Sequence, residues 1–392
     1  MRAFVIAGEA SGDALGAALM AGLRARVREI DFIGVGGSGM ATQGLESRFP
    51  MAELSVMGLA EILPKYRQLK RRIRETADAV IAARPDVLIG IDSPDFCLRV
   101  ARQVRAARPD LPVVHYVAPS VWAWRPGRAR RMAGVVDHVL ALLPFEPPYM
   151  HAAGISCDFV GHPVVAAPRA AAADAAAFRA AHAIAPGAPL VLGLPGSRRG
   201  EIERLAPRFG ATLQQVAQAH PGLRVAVATV PATAEFAQAQ LADWPGAPVV
   251  LGPDDKHAAF AAADAALAAS GTVSLELAAA GVPMVIGYDM APLTRFAMAR
   301  LLRIDTVTLV NLVSETRAVP EFLGRDCRAN RMAPALDALL RDGPERAAQR
   351  AAMGQTMARL GQGGPPPGQR AADSVLEFLG KRGIAPHAGE VQ

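Results

Sequence analysis

Short apolar runs bounded by turn-forming residues recur along the chain. They alternate with longer stretches in which apolar residues return at helical spacing. Phe4–Ala7, Phe32–Val35, Val87–Ile91, Val113–Val117 and His138–Leu142 read as buried strands, with helical pattern between most of them. The rhythm breaks at Gly161-His162-Pro163, Pro168 and the alanine-rich stretch 170–177. It resumes at Leu190–Leu194, Arg224–Ala228, Val249–Leu251, Ala265–Ala268 and Met284–Ile286.

Short strands separated by helices imply parallel sheets covered on both faces, with ligands at the carboxyl ends of the strands. The expected fold is therefore α/β, with two Rossmann-like domains, 1–165 and 166–365, and an active site in the cleft between them. Gly361–Gly368, with its run of prolines, is too rich in Gly and Pro for a packed element. Ala371–Leu379 beyond it reads as a helix, so 366–392 is expected to be a terminal helix and tail that packs on either domain, the N-terminal one included.

Composition narrows the class. The 392 residues, at ~150 per domain, make two or three domains. With 51% hydrophobic and 20% charged residues, wholesale disorder and fibrous architectures are excluded. The net charge is +6, and of 42 basic residues only Lys65, Lys70, Lys256 and Lys381 are lysines. Arginine binds phosphate through a rigid fork, so nucleic acid, anionic membrane and phosphorylated substrates are the partners to weigh, against a codon bias toward arginine. Cys97, Cys157 and Cys327 are isolated, which fits a reducing compartment and buried apolar roles. The chain enters a strand almost at once, so no leader is expected and the location expected is cytoplasmic. No charge-free apolar run reaches the ~18 residues of a spanning helix, so membrane contact is expected to be peripheral.

Candidate chemistry gathers where strands give way to helices. In Gly8-Glu9-Ala10-Ser11-Gly12-Asp13, glycines permit close approach of a ligand and Glu9 suits a sugar hydroxyl. A plain turn with Asp13 capping the helix is the alternative. Gly34–Gly39 matches a dinucleotide fingerprint in form but follows the second strand and lacks the acidic partner, so it is set aside as an NAD site. In Asp92-Ser93-Pro94-Asp95, Pro94 suits the first helical position, Ser93 the cap and Asp95 the helix dipole. Asp92 is left as a candidate base at the end of a buried strand.

Two of the three tryptophans lie in Pro119–Arg125, next to Arg125, Arg128, Arg130 and Arg131. This suits an amphiphile or membrane interface, with base stacking or a plain structural loop as alternatives. Residues 65–74 set Lys65, Arg67, Lys70, Arg71, Arg72 and Arg74 opposite Tyr66, Leu69 and Ile73, with Ala77 and Val80 continuing the apolar stripe. The result is a basic amphipathic helix that either docks on anionic lipid or is simply solvated. Gly196-Ser197-Arg198 opens a helix after the first strand of the second domain and reads as a diphosphate cradle. Ser270-Gly271-Thr272 repeats the arrangement, and Glu276, one turn on, suits the two hydroxyls of a ribose. The alternative there is an ordinary capped helix. No Asp-x-Asp or His-Glu-x-x-His string occurs, so no metal ligand set and no cofactor is called for.

The motifs resemble the lipid-A-disaccharide synthase family, inverting glycosyltransferases of the GT-B type (glycosyltransferase family 19) found in Gram-negative bacteria. The strings that carry the resemblance include Gly8–Asp13, Val56-Met57-Gly58, Gly90-Ile91-Asp92, His115-Tyr116-Val117, Pro119–Arg125, Leu143-Pro144-Phe145-Glu146, Gly161-His162, Leu194–Arg198, Ala269–Thr272, Pro283-Met284-Val285 and Asn311-Leu312. Val310 stands where the family more often has proline, and Ala118 where it often has serine.

The resemblance implies transfer of 2,3-diacylglucosamine from its UDP derivative to the 6-hydroxyl of 2,3-diacylglucosamine 1-phosphate. By it the catalytic residues are Asp92, the base, Arg198, which stabilises the departing diphosphate, and Asn311, which helps position the donor. Gly196, Ser197, Ser270, Gly271, Thr272 and Glu276 bind the UDP moiety. Glu9, Ser11, Gly12, Asp13, Ser120 and Trp122 face the acceptor or the cleft. Arg67, Arg71, Arg74, Trp124, Arg125 and Arg128 are expected to dock on the anionic cytoplasmic face of the inner membrane, with Arg295, Phe296, Arg300, Leu301 and Arg303 as further candidates. A homodimer is allowed and not required. Another UDP-sugar enzyme with a soluble substrate, such as an epimerase, shares the expected plan. Nucleic acid is not an expected partner, because the arginines form no recognisable reading module.

Overall fold

The structure, a computed structural model, describes residues 1–54, 59–124, 127–252, 254–291, 295 and 304–384, with only the backbone described for 59–65. Val56-Met57-Gly58, Arg125, Phe296, Arg300, Leu301 and Arg303, together with the side chain of Lys65, lie outside the described residues.

The chain divides into two compact units, one made of Met1–Pro163 with Gly363–Gln392, the other of Val164–Gln362. The first holds β1 (Arg2–Ala7), β2 (Asp31–Val35), β3 (Val87–Ile91), β4 (Val113–Tyr116), β5 (His138–Ala141) and β6 (Ser156–Phe159). Its sheet is wholly parallel with the order β2-β1-β3-β4-β5-β6. The second holds β7 (Leu190–Leu194), β8 (Arg224–Val227), β9 (Val249–Val250), β10 (Ala265–Ala268), β11 (Met284–Tyr288) and β12 (Glu321–Leu323). Its sheet is also parallel, in the order β12-β11-β10-β7-β8-β9.

Each order reverses at one point, between β1 and β3 in the first sheet and between β7 and β10 in the second. At such a reversal the loops beyond adjacent strands diverge and leave a crevice. Strands covered on both faces must be apolar throughout, and every residue of Val87–Ile91 and Leu190–Leu194 is buried. Alternation along β1 sends Phe4 and Ile6 into one core with Leu88, Val100 and Val139. Ala3, Val5 and Ala7 go into the other, with Leu19, Leu23, Ile89 and Val375. Trp244 is a core residue of the second unit, its indole N–H donating to the Ala206 carbonyl at 3.0 Å.

The glycine- and proline-rich stretch near 361–368 does not stay outside the packing, as composition suggested. Pro367 starts a helix that runs to Lys381 against the helix Ala10–Arg24. A Cβ on Gly368 would stand 2.6 Å from the Ala18 carbonyl oxygen, and one on Gly22 2.6 Å from that of Gly368, so glycine is what lets the two backbones touch. Asp373 pairs with Arg26, and Ser374 Oγ meets His138 Nε2 at 2.8 Å.

Candidate active site

In the second unit the chain leaves β7 at Leu194 and turns at Gly196, whose φ of +114° suits glycine. It places Ser197 and Arg198 at the exposed start of the helix Arg199–Ala219. The chain leaving β10 runs parallel to it, the Ala269 N–H donating to the Leu194 carbonyl at 2.8 Å. Ser270, Gly271 and Thr272 then lead into the helix Val273–Ala280. Because β7 and β10 flank the reversal of strand order, these two loops enclose a cavity of about 450 Å³. Gly196, Ser197, Arg198, Ser270, Gly271, Thr272 and Glu276 all line it, so the structure brings the expected UDP-binding residues together.

Three further polar residues line that wall. Glu201 Oε1 meets Arg198 Nη1 at 3.0 Å and its Oε2 accepts from the Ser197 N–H at 3.3 Å, which props the loop and aims the guanidinium. Thr229 Oγ1 donates to the Gly196 carbonyl at 3.3 Å. Lys256 Nζ lies 2.7 Å from Glu276 Oε2. Glu201 was legible as an i,i+3 partner of Arg198. Thr229 and Lys256 arrive from the loops after β8 and β9, and no local signal marks them.

Asn311, expected among the catalytic residues, is 1% exposed and is not part of the cavity wall. Its Oδ1 accepts from the Val319 N–H at 3.0 Å, and its Nδ2 donates to the Val319 carbonyl at 2.9 Å and to Thr306 Oγ1 at 3.2 Å. Its amide frames the segment 306–319. That segment reaches the cavity through Val307, whose carbonyl accepts from Ser270 Oγ at 3.3 Å.

In the first unit, Asp92 and Ser93 follow β3 with φ of +49° and +38°, two successive left-handed residues that are not glycine. Such strain persists only where the surroundings over-determine it. The Asp92 N–H donates to the Tyr116 carbonyl at 2.9 Å, and a Cβ on Gly8 would fall 2.4 Å from Ser93 Oγ. The turn is thus wedged against the end of β1, beside the exposed Glu9 and Ser11 and the buried Gly12. Burial pushes the Asp92 carboxyl above its ordinary value, partly offset by the Ser93 N–H. Ser93 occupies the cap position of the helix Pro94–Ala107, but its side chain makes no capping bond, contrary to expectation.

Asp13 is corrected more sharply. It neither caps its own helix nor faces outward. It is buried, its Oδ1 accepting from the N–H groups of Gly37 (2.8 Å) and Met40 (3.0 Å) and its Oδ2 from that of Gly39 (2.7 Å). The glycine-rich string after β2 is therefore a receptor for Asp13.

Beyond β4 the chain turns outward at Val117, whose φ is +83°. Ser120 is exposed, whereas Trp122 is half-buried with its indole N–H donating to Glu146 Oε1 at 3.3 Å and its ring edge-on to Phe145. Trp124 and Arg128 are half-buried. His115 behind them is buried and pushed down to about 4, first by burial and then by the Arg128 charge.

The helix Leu59–Ala83 buries Ile73, Ala77 and Val80, as its spacing predicts. Arg67, Arg71 and Arg74 are exposed, and so is Tyr66, which was expected on the apolar face. Arg72 leaves the basic face. It forks onto Glu53 at 2.8 and 2.9 Å and lies over the Phe49 ring.

A family model described as lipid-A-disaccharide synthetase matches residues 3–364. The chain belongs to the lipid-A-disaccharide synthase family. Relatives named lipid-A-disaccharide synthase include one from Ruegeria pomeroyi, 62% identical over 97% of this chain and 96% of its own. Another, from Rhodospirillum centenum, is 50% identical over 99% and 97%. Among solved structures, the Neisseria meningitidis UDP-GlcNAc 2-epimerase bound to UDP-GlcNAc superposes with a TM-score of 0.63 at 12% identity, covering 97% of this chain and all 100% of that one. The calicheamicin glycosyltransferase CalG4 gives 0.53 at 18%, covering 97% and 98%. These likenesses place the fold of this chain, with its two parallel six-stranded α/β units, among GT-B structures.

Proposed function

We propose that the chain transfers 2,3-diacylglucosamine from its UDP derivative to the 6-hydroxyl of 2,3-diacylglucosamine 1-phosphate, releasing UDP with inversion at the anomeric carbon. Membership of its family makes it a glycosyltransferase of lipid A biosynthesis. The observation that best supports a nucleotide-diphosphate donor is the 450 Å³ cavity between the Gly196–Arg198 and Ser270–Thr272 loops, with Glu276 one helical turn further on.

In this reading Asp92 removes the proton of the 6-hydroxyl as its oxygen attacks the anomeric carbon. The bond from that carbon to the diphosphate oxygen breaks, and its electron pair leaves on the UDP. Arg198, aimed by Glu201, and the N–H groups at the start of the helix Val273–Ala280 offset the charge that develops there. Glu276 accepts the ribose hydroxyls. Asn311 acts as a positioning residue, through Val307 and Ser270.

Both substrates carry acyl chains, so catalysis takes place at a membrane surface. Among the described residues no helix is long and apolar enough to cross one. Arg67, Arg71 and Arg74 supply exposed charge for anionic headgroups. The decisive assay follows UDP release with diacylated donor and acceptor, with and without EDTA. Release that requires both lipids and survives EDTA supports the reading. Comparable turnover of UDP-N-acetylglucosamine without acyl chains would replace it with a soluble-substrate enzyme.

A further inference from the structure

We propose that Glu146 is a positioning residue which, as a carboxylate, holds Trp122 and its loop in the place the acceptor requires; this rests on the glycosyl-transfer reading above. Glu146 follows β5 and is 4% exposed. Three N–H groups converge on it: Trp122 Nε1 on Oε1 at 3.3 Å, and the backbone of Leu142 (3.1 Å) and Leu143 (3.0 Å) on Oε2. Three donors and no facing acceptor are what an ionised carboxylate needs and what a protonated one cannot fully use. No ion pair neutralises it among the described residues.

The loop it holds adjoins the proposed base. Val117, strained and β-branched, is fixed by its N–H to the Leu140 carbonyl at 3.0 Å, and the Asp92 N–H is fixed by the carbonyl of the preceding Tyr116. The turns after β3, β4 and β5 are thus bonded in series, by backbone between β3, β4 and β5 and by the Trp122–Glu146 side-chain pair beyond them. Burial pushes its carboxyl up to about 7, with the three N–H groups opposing. Other titratable groups lie nearby. Cys157 on β6 is pushed well up by burial and by Glu146 itself, Asp158 follows it on the same strand, and His115 is held low. His151, on the helix Pro147–His151, turns its Nε2 to the Cys157 carbonyl at 2.9 Å. A proton that Glu146 takes from solvent turns one acceptor into an O–H donor and loosens Trp122.

Two substitutions test this. Glu146→Gln keeps the shape but, with its carbonyl oxygen on the two backbone N–H groups, points an amide N–H at the indole N–H. Trp122→Phe keeps the ring contact and removes the donor. In the wild type, kcat/KM for the acceptor should rise with pH through an ionisation near 7. Glu146→Gln should lose that ionisation and fall about tenfold at pH 8, as for one charge-assisted hydrogen bond, with donor KM unchanged. Trp122→Phe should move the ionisation to higher pH, because the carboxylate loses a donor, and the double variant should be no worse than the poorer single one. The Trp122 indole ¹⁵N–H resonance, assigned by its loss in Trp122→Phe, should titrate near 7 in the wild type and stay flat in Glu146→Gln. An indole titration that persists in Glu146→Gln overturns the proposal, as does an unchanged acceptor profile in Trp122→Phe. The resonance is read without turnover, so it stands even if the lipid substrates prove wrong.

Discussion

Lys256 Nζ stands 2.7 Å from Glu276 Oε2 on the wall of the nucleotide cavity, and the two side chains are 38% and 41% exposed. A pair so open to solvent adds at most about 1 kcal/mol to stability, so its effect is on how Glu276 is presented. Glu276→Ala should raise the dissociation constant for UDP about 10- to 100-fold, and Lys256→Met about threefold, with little change in melting temperature. Calorimetric titration with UDP measures both. Unaltered binding in Glu276→Ala would remove the ribose assignment.

Asp92→Asn separates catalysis from stability. Loss of a general base should lower kcat by roughly 10²–10⁴. Burial raises the folded carboxyl above its ordinary value, so the folded state keeps the proton to higher pH than the unfolded chain does. Ionised Asp92 therefore weakens the fold at neutral pH, and that penalty disappears below the ordinary carboxylate value. Asparagine also tolerates the +49° backbone angle. The variant should melt higher than wild type at pH 7 and no higher at pH 3; near-wild-type turnover of the lipid substrates would exclude Asp92 as the base.

The arginines of the helix Leu59–Ala83 divide into two kinds. Arg67, Arg71 and Arg74 face solvent, so reversing all three to glutamate should abolish flotation with anionic vesicles and leave the melting temperature within a few degrees. Arg72 is forked onto Glu53, so Arg72→Glu should lower the melting temperature and alter vesicle binding little in the folded fraction. Unchanged flotation of the triple variant would dismiss this helix as the docking surface.

Gly368→Ala tests the contact between the first and last helices. Its methyl group would overlap the Ala18 carbonyl oxygen, so the helices must separate, at a cost of about 1–3 kcal/mol. The expected fall in melting temperature is about 2–12 °C. Gly380→Ala, in the same helix with open space around it, should be neutral or slightly stabilising.

Of the twelve strands among the described residues ten were legible, most of them because a buried parallel strand has to be an uninterrupted apolar run. The two that escaped, Ser156–Phe159 and Glu321–Leu323, are short edge strands carrying Asp158 and Glu321, so no apolar run marks them. The donor cavity was legible for a related reason, since glycine, hydroxyl and arginine residues directly after a strand end on the crevice that strand order creates. Side chains whose partners come from elsewhere in the chain were not. Asp13 reads in the sequence as a cap but lies within the helix Ala10–Arg24 and bonds a loop 24 residues on, and Arg72 belongs by spacing to a basic face and by contact to Glu53. Glu146 had no role until its three donors were brought around it by the fold.

The helix Pro367–Lys381 completes a unit that begins at Met1, so that unit is assembled from both ends of the chain. On the ribosome the residues that cover Leu19 and Leu23 emerge only after all of Val164–Gln362, a delay of roughly 10–40 s at ordinary elongation rates. The unit contiguous in sequence is free to finish first. Throughout that interval an apolar helix face of the other waits uncovered, which makes the nascent chain, more than the finished enzyme, the stage at which aggregation and chaperone capture compete with folding.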